Sequence, residues 1–419
     1  MAVKHVCVVG LGYVGLPTAA VLASRGIQVT GVDTNASTVD TINNGKPHIV
    51  EPDLDMIVHG AVSAGKLTAS ATPVSADAFI LAVPTPFDDD RKPDLRHLYD
   101  ATHAIAGVLK AGDLVVVEST VPVGATAQVG AWLSAARPDL KIPSSITPLD
   151  AHDICISHSP ERVLPGRVLL ELVRNDRVIG GLCHDCAQKT ADLYGTVVEG
   201  QMHLTDAKTA ELVKLSENAY RDVNIAFANE LANVAEPLGI DVREVIALAN
   251  RHPRVDILNP GPGVGGHCIA VDPWFIVATD PDNTPLIQTA RMVNDDRPAA
   301  IAEQIANLPG AKDGAPIACL GLSYKADIDD LRESPSIHVI ERLRERINNP
   351  ILVVEPNVSE LPPTLEALRD VTLMTLEESL SAATVIVLLT DHKVFGSISP
   401  DVLDIKDVLD TRGVWPRSK

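Results

Sequence analysis

The chain has 419 residues, 46% hydrophobic and 21% charged, with 35 Lys and Arg against 55 Asp and Glu for a formal charge of −20. That length predicts two or three domains rather than one core, and the composition excludes the disordered and fibrous classes. The negative charge argues against nucleic acid or an acidic membrane surface as the main partner; with no run near the roughly 18 apolar residues of a bilayer span and no signal-peptide pattern, the expected location is the cytoplasm.

The chain opens on VCVVGLGYVGLPTAAVLASRGIQVTGVD at 6–33, which predicts a strand, a glycine turn, a helix and a second strand ending on Asp33. Gly10, Gly12 and Gly15 form GxGxxG: the first permits the tight turn, the second lets a pyrophosphate approach the backbone, and the third lets helix and strand pack closely. The N–H groups of Tyr13 and Val14 would face phosphates at the positive end of the helix. Asp33 stands where a carboxylate accepts from ribose hydroxyls and repels a 2′-phosphate, so NAD is expected over NADP.

Further strand-like runs, AFILAV at 78–83, DLVVVEST at 113–120 and DRVIGG at 176–181, alternate with helical stretches as in an open, mostly parallel sheet. Thr85 and Thr120 follow two of these runs, where ligands bind in such sheets; turn capping accounts equally well for each taken alone. Six cysteines are too few for a disulfide scaffold. Cys183 and Cys186 have CxxC spacing, but no second pair or His pair follows them, so they are read as ordinary cysteines at a helix start and no metal is expected.

From Thr205 to Leu238 the pattern is that of one long helix, capped by Thr205 or Asp206 and followed by Gly239. Its length suggests a connector that also serves as a subunit interface, and Lys214 and Asn218 share one of its faces. Next comes GPGVGGHCIAVDP at 261–273, where glycines surround Cys268; a small buried hydrophobe and a presented nucleophile are the two readings of that sulfur. Past the loop cluster LPGAKDGAP, runs such as ILVVEP and TVIVLLTDH predict a second α/β domain. Its first turn lacks GxGxxG, so a nucleotide there would be gripped differently, with Lys325, Arg332 and Arg412 as available cations.

GLGYVGLP at 10–17, VPTP at 83–86, KLSENAYRDVNIAFANE at 214–230, GVGGHCIAVDP at 263–273 and YKADIDDLRES at 324–334, in this order, resemble the nucleotide-sugar 6-dehydrogenase family, which includes UDP-glucose and GDP-mannose dehydrogenases. SPERVLPG at 159–166 and NRHPRV at 250–255 look like the branch that acts on UDP-N-acetylmannosamine, and Val271 stands where UDP-glucose dehydrogenases usually carry a lysine. The resemblance implies an α/β protein of two Rossmann-like doubly wound domains joined by a central helical dimerisation domain: 1–200 for NAD, 201–308 for the homodimer, and 309–419 for the UDP moiety.

It also implies a double oxidation of a C6 hydroxyl to a carboxylate, through an aldehyde captured by Cys268 as a thiohemiacetal and then a thioester. In the implied roles, Lys214 and Asn218 hold the developing oxyanion, Asp272 orders a water, Glu161 promotes thioester hydrolysis, and Thr120 lies near that water. Arg162, Val163, Arg221 and the Gly265 backbone would border the sugar diphosphate. Tyr324, Lys325 and Arg412 would serve the nucleotide, and His252 and Arg254 would reach a neighbouring subunit's substrate. Tyr13, Val14, Asp33, Thr85, Thr126 and Arg332 are the implied NAD contacts.

Overall fold

A computed structural model of the protein describes residues 3–88, 90–143, 152–164, 166–266 and 268–415. The chain divides into two compact units, one running to Ser216 and including Trp274–Asp280, the other comprising Glu217–Pro273 and the chain from Pro281 onward.

In the first unit, β1 (His5–Val9), β2 (Gln28–Val32), β3 (Leu67–Ser70), β4 (Ala78–Leu81), β5 (Leu114–Val117), β6 (Cys155–His158), β7 (Arg177–Gly181) and β8 (Met202–Asp206) make one sheet in the order 3-2-1-4-5-6-7-8. Every pairing is parallel except β6 with β7, where Ser157 faces Gly181 and His158 faces Gly180. The central strands β4 and β5 are apolar at every position because both faces are covered, and in β1 Val6 and Val8 enter one core while Cys7 and Val9 enter the other. The order reverses at β1, which pairs with β2 on one side and β4 on the other. A doubly wound sheet binds its ligand in the crevice outside the strand ends at such a point.

The second unit contains β9 (Ile317–Leu320), β10 (Ile351–Val354), β11 (Val371–Leu373), β12 (Val385–Leu388) and β13 (Asp407–Asp410), an all-parallel sheet ordered 11-10-9-12-13. Its alternate residues again feed two cores, Ile317 and Cys319 on one face, Ala318 and Leu320 on the other. Topologically it repeats β3-β2-β1-β4-β5.

The long helix spans Ala207–Ala235. Asp206 caps it, its Oδ1 accepting from the Thr209 N–H at 3.0 Å. It stops short of the expected Leu238 because Pro237 brings no N–H to continue the ladder, so Glu236–Leu238 close as a 3-10 turn before Gly239 at φ +67°. Ala228, Ala232 and Ala235 pack one side of the helix on Val242 and Ile246.

Candidate active site

The first turn of the first unit fits a dinucleotide. Gly10 has φ +92°, and a Cβ there would run into the Ala82 carbonyl; one at Gly15 would run into the Gly10 carbonyl and Ala82. A Cβ on Gly12 would meet nothing within 4 Å. Two glycines are therefore required by the fold, whereas the third keeps a space open where a pyrophosphate needs backbone approach. The helix Gly15–Ser24 begins without a side-chain cap at Val14, and in its first turn the Leu16 N–H already donates to the Gly12 carbonyl at 3.1 Å while Pro17 has no N–H. Tyr13 is 43% exposed. Asp33 is aimed by two N–H groups, Leu11 to Oδ2 at 3.2 Å and Asn35 to Oδ1 at 2.9 Å, and stays partly exposed.

Thr85 and Thr120 come together, the Thr85 hydroxyl donating to the Thr120 carbonyl at 2.5 Å. Thr126 is fully buried, its N–H held by Glu211 Oε1 at 2.7 Å. Beneath lies a network the sequence reading missed. Glu118 accepts from Thr18 Oγ1 at 3.0 Å, Arg177 at 3.1 Å and the Tyr194 hydroxyl at 3.0 Å, all buried, and Arg177 also donates to Ser159 at 3.2 Å. Breaking one partner would leave a buried charge uncompensated. The acid in VVVEST was the available signal, but its partners lie far away in sequence.

In the same unit Lys214 is buried, and its charge acts on both Glu161 and His158. Burial pushes the Glu161 carboxyl up against the opposing pull of Lys214 and the Val163 N–H, which Glu161 Oε1 accepts. A raised carboxyl under the pull of an ammonium suits proton transfer. Burial drives His158 down to about 3, with the nearby Lys214 adding to the fall, so it stays neutral; its Nδ1 pairs with the Val117 carbonyl at 2.9 Å. Arg162 donates to the Asp176 carbonyl at 3.1 Å.

In the second unit Cys268 is exposed, which rules out the buried-hydrophobe reading. Its carbonyl accepts from the Asp272 N–H at 2.9 Å, so the sulfur stands on the turn that opens the helix Asp272–Thr279. Asp272 is 2% exposed, and its Oδ2 accepts from Asn218 Nδ2 at 2.5 Å; a buried hydrogen bond to a charge stabilises by on the order of 1.5–3 kcal/mol. Lys214 precedes Asn218 by one helical turn.

The glycines before Cys268 are packed against their own chain. A Cβ on Gly265 would run into the Glu333 carbonyl and lie 2.7 Å from Pro335; one on Gly266, at φ +83°, would lie 2.9 Å from the Tyr324 ring. The loop is thus pressed against the 324–335 segment of its own chain. Gly261 likewise lies under Arg412, which pairs with Asp391 at 2.7 Å. Arg332 is forked onto Asp330 at 2.6–2.7 Å, Lys325 is partly exposed, and Arg221, His252 and Arg254 are exposed.

The first turn after β9 carries the residues GLSYKA where the turn after β1 has GLGYVG. Gly321, at φ +95°, abuts Thr390 as Gly10 abuts Ala82. Glu355 follows β10 and accepts the Leu322 and Ser323 N–H groups at 2.7 and 3.1 Å. It is buried, and His392 Nε2 lies 3.0 Å from it while His392 Nδ1 accepts the Asp327 N–H at 2.9 Å.

Three sequence profiles match in succession. The NAD-binding domain of the UDP-glucose/GDP-mannose dehydrogenase family covers 4–198, its central domain 208–296 and its UDP-binding domain 318–417. The chain is 54% identical to an NDP-N-acetyl-D-galactosaminuronic acid dehydrogenase of Ralstonia nicotianae, over 98% of this chain and 96% of that protein. It is 52% identical to a UDP-N-acetyl-D-mannosamine dehydrogenase of Yersinia pestis, over 99% and 100%. The solved UDP-D-ManNAc dehydrogenase of Pyrococcus horikoshii superposes with a TM-score of 0.88 at 36% identity, over 99% of this chain and 96% of that one.

Proposed function

The chain belongs to the UDP-glucose/GDP-mannose dehydrogenase family of NAD-dependent nucleotide-sugar dehydrogenases, and from that premise we propose that it oxidises the C6 hydroxyl of UDP-N-acetyl-D-mannosamine twice, to UDP-N-acetyl-D-mannosaminuronate. The observation that carries this reading is the exposed Cys268, on a turn fixed by glycine packing, leading directly into the buried Asp272–Asn218 pair.

Gly12, the N–H groups of Tyr13 and Val14, Asp33, Thr85 and Arg332 would hold NAD, which when bound supplies the hydride acceptor used once in each oxidation. Each remaining step is assigned to side chains. The Cys268 thiolate adds to the aldehyde carbon; Lys214 and Asn218 stabilise the oxygen that takes up charge; loss of the carbinol hydride leaves a thioester. Asp272 and Thr120 orient a water and Glu161 takes its proton, so that attack releases the carboxylate and returns the thiolate. Arg162, Val163, Arg221, Gly265, Tyr324, Lys325 and Arg412 are assigned to the sugar nucleotide.

We further assign 1–200, 201–308 and 309–419 to NAD, dimerisation and UDP, and a homodimer in the cytoplasm as the working form. In support, Tyr220, Phe227 and Val234 recur every seven residues along the long helix and are 63%, 51% and 56% exposed. His252 and Arg254 would reach the partner's substrate; light scattering that returns a monomer at full activity would refute both assignments.

The 54% identity to the galactosaminuronic acid enzyme supports a second reading, the same chemistry on an NDP-N-acetylgalactosamine. Purified protein incubated with NAD and UDP-N-acetylmannosamine, UDP-N-acetylgalactosamine, UDP-N-acetylglucosamine, UDP-glucose and GDP-mannose separates these. Fastest turnover of the first with two NADH per acid is the expected result; one NADH per sugar would sink the double oxidation. Cys268→Ser should lower acid formation by on the order of 10⁴-fold or more.

A further inference from the structure

The antiparallel register of β6 and β7 has a chemical consequence outside the dehydrogenase site. Ser157 faces Gly181, so two residues further on Cys155 comes opposite Cys183. Cys183 is the N-cap of the helix His184–Tyr194, its sulfur accepting the Cys186 N–H at 3.4 Å, and its Sγ lies 2.9 Å from Cys186 Sγ. Cys155 Sγ lies more than 4.8 Å from at least one of those two sulfurs and would have to close on them as a metal binds. Three residues before Cys155, His152 turns Nε2 into the same place, 3.4 Å from Cys155 Sγ and 3.9 Å from Cys183 Sγ. The donor atoms of His152, Cys183 and Cys186 all fall within 4.8 Å of one another.

We propose that His152, Cys155, Cys183 and Cys186 form a closed structural site for a thiophilic divalent metal, zinc above all. A tetrahedral zinc with bonds of about 2.3 Å to sulfur and 2.05 Å to nitrogen sets its ligands about 3.8 Å apart for S–S and about 3.6 Å for N–S. The two N–S distances bracket that value. The Cys183–Cys186 pair has to open by about 0.9 Å to reach the S–S figure. A Cys183–Cys186 disulfide would use two of the four donors and give no reason for an imidazole nitrogen near two different sulfurs.

Cys155 and Cys186 are buried in the core beside β1, so the thiolates a metal would need lie in apolar surroundings, where an ion neutralising them matters most. Cys155 pairs with Leu114, the first residue of β5, which puts the cluster at the amino end of the parallel strands, away from the crevice end that carries the cofactor turn. Four protein ligands and that location fit a fastener for the chain entering β6, not a Lewis acid for substrate. The sequence reading looked for partners downstream of the CxxC; they lie upstream, as HDIC at 152–155.

The test uses full-length protein with Cys268→Ser, so that the exposed thiol cannot contribute. Elemental analysis after reducing purification should find about one zinc per chain, and cobalt added to chelator-stripped protein should give the visible bands of a tetrahedral thiolate site at about one equivalent. Cys183→Ser, or Cys155→Ala should the first misfold, should lose both signals, and stripping should lower Tm. Stripped protein that remains folded and takes up neither zinc nor cobalt overturns the proposal, as does a Cys183–Cys186 disulfide that persists under the same reducing conditions.

Discussion

The turns after β1 and after β9 share a topology and a sequence outline, GLGYVG against GLSYKA, yet treat their polar groups in opposite ways. Each starts with a left-handed glycine wedged against the neighbouring crossover, and each has an acid after the second strand that accepts the next residue's N–H. After β1 the acid is partly exposed, Gly12 leaves open space and a helix starts at once. After β9 the acid is buried on His392, the serine in place of the open glycine donates inward to the Lys325 carbonyl at 2.8 Å, and the helix waits until Pro335. Strand order therefore does not make a dinucleotide site: what decides is whether the turn's donors and acceptors are left for a ligand or consumed by the protein.

This contrast can be broken in five places. The largest effect belongs to Gly15→Ala, which forces a methyl into the Gly10 carbonyl and should abolish soluble folded protein. Gly12→Ala, with open space around it, should fold with unchanged Tm while raising KM for NAD about 100-fold, or about 2.8 kcal/mol; an unchanged KM would mean the turn does not hold the cofactor. Asp33→Asn should raise that KM about tenfold with little change in kcat.

Glu355→Gln, its counterpart, should leave KM for NAD alone and lower stability instead. Burial alone would raise the Glu355 carboxyl, but the hydrogen bond from His392 and the N–H groups of Leu322 and Ser323 outweigh it, so its folded value is depressed below 4.5. A depressed acid stabilises the fold above its unfolded value, and that contribution disappears as pH falls through the folded one. The stability gap between wild type and Glu355→Gln, on the order of 1–3 kcal/mol at neutral pH, should therefore narrow as pH falls below the unfolded value of this carboxyl and close once it is below the folded one. A gap that persists there would mean packing, not charge, is at stake. Ser323→Ala is the mildest, about 1 kcal/mol.

The first turn was legible in advance because its parts are local: a strand, three glycines at fixed spacing, a helix and an acid within 28 residues. The glycines around Cys268 were legible as a constraint but not in their cause, since Tyr324, Glu333 and Pro335, which crowd them, lie more than 50 residues away. Glu118, Arg177 and Tyr194 were invisible as a group for the same reason.

Periodicity, turn chemistry and the spacing of the GxGxxG turn, all short-range properties of a polymer backbone, were enough to specify two wound sheets, the long helix and the cofactor turn. Which side chains meet depends on strand order and register, and the reversal of direction between β6 and β7 carries Cys183 back toward the strand that begins at Cys155. Only the folded chain brings such residues together, because pairing between distant strands is fixed by the packing of whole layers rather than by any local preference.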